Sequence, residues 1–170
     1  KLADNAQKEP NRDDIEAGAL FIPKPEKLLN TELTYVCRYN AQMSFHTNVF
    51  GMFYKDQLVL TGKINDVGAY TRTNIDRSYR VGVEFEWMYR SSNRLFEMNA
   101  NVALSRNKLL NFTEYVDDYD NGGQVQHQYV ETTIAFSPAL IAGGRFSIFP
   151  LRNQEYLIHD LSIDVLPKYV

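Results

Sequence analysis

From Ser78 to Arg90 the chain reads SYRVGVEFEWMYR. Every second residue belongs to one of two sets. Tyr79, Val81, Val83, Phe85, Trp87 and Tyr89 are apolar or aromatic. Arg80, Gly82, Glu84, Glu86, Met88 and Arg90 are charged, apart from Gly82 and Met88. A strand points successive side chains to opposite faces, so this period predicts a strand with one greasy and one wet face. A helix would smear both sets around its circumference. Aromatics flank the apolar set, at Tyr79 on one end and at Trp87 and Tyr89 on the other. That arrangement fits a transmembrane β-strand, and it fits one strand of a soluble sandwich as well.

The same alternation recurs along the chain. Residues 29–39 set Leu29, Leu33, Tyr35, Cys37 and Tyr39 against Asn30, Glu32, Thr34 and Arg38. Residues 43–54, extending towards Leu60, set Phe45, Val49 and Phe53 against Ser44, His46 and Asn48. The facing blurs there because Phe50, Met52 and Tyr54 join the wet set. Residues 95–107 set Phe96, Met98, Ala100, Val102 and Leu104 against Glu97, Asn99, Asn101 and Ser105, and Arg106 sits where it can snorkel off the apolar face. Residues 140–149 and 156–167 complete the pattern, with His159 a blemish on the last apolar face. A short strand is expected near Leu2–Gln7. Short polar turns are expected at 40–42, 91–94 and 150–155. Long polar connections are expected at 1–27, 61–77 and 111–133. All short turns thereby fall on one rim and all long connections on the other. Outer-membrane barrels sort their loops in this way, whereas Greek-key crossovers do not. The expected fold is all-β: an antiparallel up-and-down meander of about six to eight strands, part of a transmembrane β-barrel and incomplete as a barrel.

Composition narrows the reading. Aromatic residues make up 13% of 170 residues, led by 11 Tyr and 10 Phe, which is natural for a membrane β protein. The formal net charge of −3 carries no basic excess, so no nucleic-acid partner is expected. A lone cysteine, Cys37, excludes an internal disulfide and a cysteine metal site. No apolar run approaches the roughly 18 residues of a spanning helix.

Several strings resemble one family: AQKEPNRDD at 6–14, PEKLLNTELTY at 25–35, FYKDQLVLTGKINDVGAYTRTN at 53–74, SYRVGVEFE at 78–86, ALSRNKLLNFTEYVDD at 103–118, IAFSPALIAGGRF at 134–146 and LPKYV at 166–170. In that order and spacing they resemble the barrel of a TonB-dependent outer-membrane receptor, over essentially the whole chain. The resemblance implies a segment, residues 1–170, from the interior of the C-terminal half of a barrel of about 22 strands. The plug domain and the terminal strands of the family are absent from it. It further implies import of a scarce solute such as a ferric siderophore or cobalamin, energised by TonB through the plug, in the outer membrane of a Gram-negative bacterium. The expected partners are outer-membrane lipid, TonB and the small solute. The competing reading is a small soluble up-and-down barrel holding an apolar ligand, with its apolar faces turned inward.

Candidate chemistry is sparse. Tyr70, Arg72 and Asn74 in the connection 61–77, with Arg80 below them on the wet face, suit a carboxylate- or catecholate-rich ligand. A solvated, self-paired loop is the plainer account of the same residues. Asp117, Asp118, Asp120 and Asn121 invite a calcium reading. They fail the EF-hand pattern, because with Gly122 as the turn glycine the third position is Tyr119 and the twelfth is Gln128. An Asn121-Gly122 turn in a solvated acidic loop is the expected structure. Asn111-Phe112-Thr113 matches a glycosylation sequon, a frequent chance match. His46, His127 and His159 have no ligand spacing, so no metal or other cofactor is expected. There is no phosphate-binding glycine loop and no nucleophile elbow, and Glu84 and Glu86 read as lumen electrostatics. No enzymatic activity is expected.

Overall fold

The computed structural model describes residues 4–10, 12, 15, 23–64, 68, 70–152 and 161–170. The described residues form β1 (Asp4–Lys8), β2 (Glu26–Arg38), β3 (Met43–Ile64), β4 (Tyr70–Arg90), β5 (Phe96–Asp117), β6 (Gln124–Thr133), β7 (Leu140–Ile148), β8 (Ile163–Val165) and β9 (Lys168–Tyr169). All belong to one antiparallel sheet: β1 to β6 pair in sequence order, β7 returns to β5, and β8 and β9 both pair with β7. The nine segments occupy seven strand positions. β6 and β7 share the far side of β5, pairing with its upper and lower halves. β8 and β9 likewise share β7, separated by Pro167, which has no N–H to give the ladder. β1 lies at one edge and β8–β9 at the other, so the sheet is open. This is the expected all-β meander.

Register turns the alternation of single strands into two continuous faces. Leu33 pairs with Val49, Val49 with Val83, Val83 with Leu104 and Leu104 with Leu140. On the other side, Thr34 pairs with Asn48, Asn48 with Glu84 and Glu84 with Ala103. The sheet is a single layer. Leu33, Val49, Leu104 and Val165 remain 65%, 51%, 50% and 57% exposed. Among the described residues the buried hydrophobics are Leu58, Ile75 and Leu109, all above this apolar band.

The connections expected at 61–77 and 111–133 are instead mostly strand. β3 runs on to Ile64 and β4 begins at Tyr70; β5 runs to Asp117 and β6 returns from Gln124. These extensions carry polar residues on both faces, so the period-two signal vanishes although the backbone pairing continues. The hairpins part company above Arg77↔Leu110, the last pair between β4 and β5. The short turns lie where expected. Asn40 Oδ1 accepts from the Gln42 and Met43 N–H groups at 2.9 and 2.8 Å, and Ser91 N–H donates to the Phe96 carbonyl at 3.0 Å. Pro150–Arg152 is turn, while the rest of the turn expected to Glu155 and the start of the last expected strand, including His159, lie outside the described residues.

The blurred facing at Phe50 has a cause. Phe50 pairs with Gly82 on the wet face, and its ring lies over that glycine. A Cβ at position 82 would stand 2.5 Å from the Leu104 carbonyl oxygen and 2.7 Å from Phe50 Cζ. The ring covers backbone that no side chain can cover, the pairing known as aromatic rescue of a strand glycine. Gly82→Ala is therefore expected to destabilise the sheet by about 1–3 kcal/mol, the range for overpacking. Urea unfolding in detergent micelles measures it. An unchanged midpoint would mean that neither the Leu104 backbone nor the Phe50 ring is held in place.

Candidate functional site

The wet face is a hydrogen-bonded polar surface that crosses the sheet. Thr34 Oγ1 on β2 lies 3.0 Å from Asn48 Oδ1 on β3, and Asn48 Nδ2 donates to Glu84 on β4 at 3.2 Å. One level nearer the short turns, Asn99 Nδ2 on β5 donates to Glu86 at 2.9 Å, and His46 Nδ1 stands 3.7 Å from the same carboxylate. Arg90 pairs with Glu97 at 2.9 Å, and Arg145 on β7 meets Asp164 on β8 at 3.0 Å. The alternation of the strands dictates this, since each partner occupies a wet-face position opposite or next to the other. Two hollows open on this face. One of about 660 Å³ lies at the short-turn rim, lined in part by Arg38, Arg90, Asn99, Asn101 and Arg145. The second, of about 320 Å³, is lined by His46, Asn48, Glu84, Glu86 and Asn101 among others.

Tyr70, Arg72, Asn74 and Arg80 all lie at even positions of β4. The strand strings them along its length. Tyr70 and Arg80 are ten positions apart, about 33 Å at the usual rise. Tyr70 is 66% exposed at the far end, opposite Ile64, and Arg72 is opposite Leu60. Asn74 has a framework job. Its Oδ1 accepts from Lys24 N–H at 2.7 Å, and its Nδ2 donates to the Lys24 and Asp56 carbonyls at 2.8 and 2.7 Å. The carboxamide thus holds the approach to β2 against β3, at the point where Asp56 takes a left-handed φ of 55°. The Arg80 guanidinium lies 5.6 Å from the centre of the Tyr54 ring, and its buried Nε has no hydrogen-bond partner among the described residues.

A second framework residue carried no signal in the sequence. The Gln124 carboxamide at the start of β6 joins the two long hairpins: its Nε2 donates to the Gly62 carbonyl at 2.8 Å and to Asp117 Oδ1 at 2.9 Å, and its Oε1 accepts from Ile64 N–H at 3.3 Å. Gly62 meets the Tyr115 carbonyl there with φ +82°, a combination that no residue with a Cβ can adopt without displacement.

The acidic residues 117–121 build a turn. Asp118 Oδ1 accepts from the Asp120 and Asn121 N–H groups, both at 3.1 Å, and Oδ2 accepts from Asn121 Nδ2 at 3.1 Å. Gly122 and Gly123 supply the positive φ angles of the return. Among the described residues no group of three His, Cys, Asp or Glu is placed to hold a metal ion. The Asn121 side chain, then the backbone N–H groups of Asn121 and Asp120, hold the Asp118 carboxyl below the usual carboxylate range. A depressed folded pKa means that the turn gains its stabilisation above the ordinary value, about 3.9, and loses it as pH falls through the folded value. Carbon-detected NMR titration should give a midpoint for Asp118 below that of an unstructured Asp. Asn121→Ala should return it towards the ordinary value. A midpoint at the ordinary value in the parent chain would remove this account of the turn.

The chain matches no protein-family model, no curated protein and no solved structure.

Proposed function

We propose that this chain is a segment of the wall of an outer-membrane active transporter of the TonB-dependent receptor kind. Its apolar face meets lipid and its wet face lines the path of the solute. The observation that carries the reading is the single-layer sheet whose aliphatic face is left uncovered by the described residues. A soluble protein of this size would bury such a face in a core, because a large uncovered apolar patch drives association in water.

Dimensions support the reading. The apolar set of β4 runs eleven residues, from Tyr79 to Tyr89. At about 3.3 Å per residue and a tilt near 45°, such a strand covers about 26 Å, close to the height of an outer-membrane apolar band. Aromatic rings gather at the short-turn border: Phe45 and Phe85 centres are 5.9 Å apart, Tyr89 and Phe96 5.8 Å, and Phe96 and Phe146 6.5 Å. They run across β3, β4, β5 and β7 at the level where an aromatic girdle would meet the headgroups. The hollows on the wet face favour a polar solute over an apolar one. In this reading the solute is an iron chelate or similar compound. Tyr70 and Arg72 meet it first, Arg80 lies deeper on the same face, and Asn74 between them keeps the wall in shape. TonB acts through a plug that fills the barrel, and the chain performs no catalysis.

The test separates adjacent residues of β4 in the full-length protein in its membrane. A spin label at Val83 should be relaxed by oxygen and shielded from a water-soluble nickel chelate, and a label at Glu84 should show the reverse. Val83→Arg, near the band's centre, should cost roughly 2–4 kcal/mol of folding stability. Glu84→Arg should cost much less. A label at 83 shielded from both reagents would place it in a packed core and overturn the membrane reading.

A further inference from the structure

The apolar band ends, on the side of the long hairpins, in a row of cations. Lys27 on β2 pairs directly with Lys55 on β3, and Lys55 with Arg77 on β4. All three are exposed, and they continue the face that carries Leu29, Phe53 and Tyr79 one step below. Residues directly opposite in an antiparallel pair stand about 4.5–5.5 Å apart at Cβ, where like charges destabilise the pairing. The sheet nevertheless sets three in line. Lys27 and Lys55 have no hydrogen-bond or ion-pair partner among the described residues. Arg77 has its sequence neighbour Asp76 at 3.3 Å, with the arginine side chain 71% exposed. Towards β6 the row continues through Lys108 and Arg106, which share Glu131 at 3.2 and 3.0 Å. Among the described residues these five cations form ion pairs with two carboxylates, Asp76 and Glu131, in a chain whose formal net charge is −3.

We infer that this row binds the phosphate-bearing headgroup of an anionic lipid. The inference rests on the membrane reading above. Continuity selects the occupant: an amphiphile with its tails on Leu29, Leu33, Val49 and Phe53 brings its headgroup to Lys27 and Lys55. An acidic protein would gain the charges but leave the adjoining apolar surface uncovered. Phosphate oxygens placed between Lys27, Lys55 and Arg77 also offset the repulsion that their pairing imposes. Basic clusters at a membrane border act on anionic lipid in this way, and their pull fades beyond a Debye length.

Electron spin resonance of spin-labelled lipids tests it, with the purified full-length protein in phosphatidylcholine bilayers. Labelled phosphatidylglycerol should show a larger motionally restricted fraction than labelled phosphatidylcholine. Each of Lys27→Gln, Lys55→Gln and Arg77→Gln should lower the relative association constant about fivefold, and high salt should lower it too. Arg94→Gln, in a turn on the opposite rim, should leave the preference intact. Lys27, Lys55 and Arg77 are exposed side chains, and each single variant is read against the parent protein. A restricted fraction that is equal for the two lipids and unmoved by the variants overturns the headgroup site while leaving the membrane reading standing. No restricted fraction for either lipid overturns the membrane reading itself. Displacement of labelled phosphatidylglycerol by inorganic phosphate at equal concentration would show a free-phosphate site and overturn the lipid assignment.

Discussion

A sheet one layer thick has no second layer to sort its side chains, so register alone keeps its two faces apart. A slip of one residue between any two strands would carry every apolar side chain of one of them to the wet side. The pairing of β2 through β5 and on to β7 holds one parity across the whole apolar band. The polar bridges of the wet face read as consequences of that parity. Thr34, Asn48 and Glu84 meet because they are successive register partners, and Arg145 reaches Asp164 diagonally, because Asp164 pairs with Ser147, two residues along on the same face of β7.

The same constraint explains what the sequence disclosed. Where one face is apolar and the other polar, the chain writes its own register. The faces read from residues 29–39, 43–54, 78–90 and 95–107 are the faces of the structure. The approach to the band was less legible. Glu26 and Lys27 belong to β2, yet they follow a proline-rich stretch with no alternation. The hairpin extensions at 61–64, 70–77, 111–117 and 124–133 were hidden for the same reason, since both of their faces meet water. β-prone residues occur there (Tyr70, Thr73, Ile75, Tyr115, Val125), but no alternation marks them as strand.

The candidate site was legible as a surface and not as a set of partners. Alternation places Arg38, Glu84, Asn99 and Asn101 on the wet face, and they line its hollows. The side chain of Asn74 suits a ligand contact, whereas in the fold its carboxamide is occupied by backbone from residues far off in the chain. Long-range backbone demand of that kind leaves no local mark. Gln124 is a similar case, and the acidic turn the opposite one, because the Asn121-Gly122 pair announces its own geometry.

The break between β6 and β7 has a mechanical consequence. Residues 134–139 stand opposite only 105–107 of β5, so the partner strand carries three surplus residues there, with Phe136 at φ 55° and Pro138 inside the break. Stagger around a cylinder must be the same at every height for its wall to close. Here the stagger below the break differs by three residues from that above it. The lower segments can share one cylinder, and the upper hairpins cannot continue it. Those hairpins stand instead as two cantilevers on a common rim, tied near their tips by Gln124 across Gly62. Movement of either tip is therefore passed sideways to the other through that tie and need not travel down into the wall.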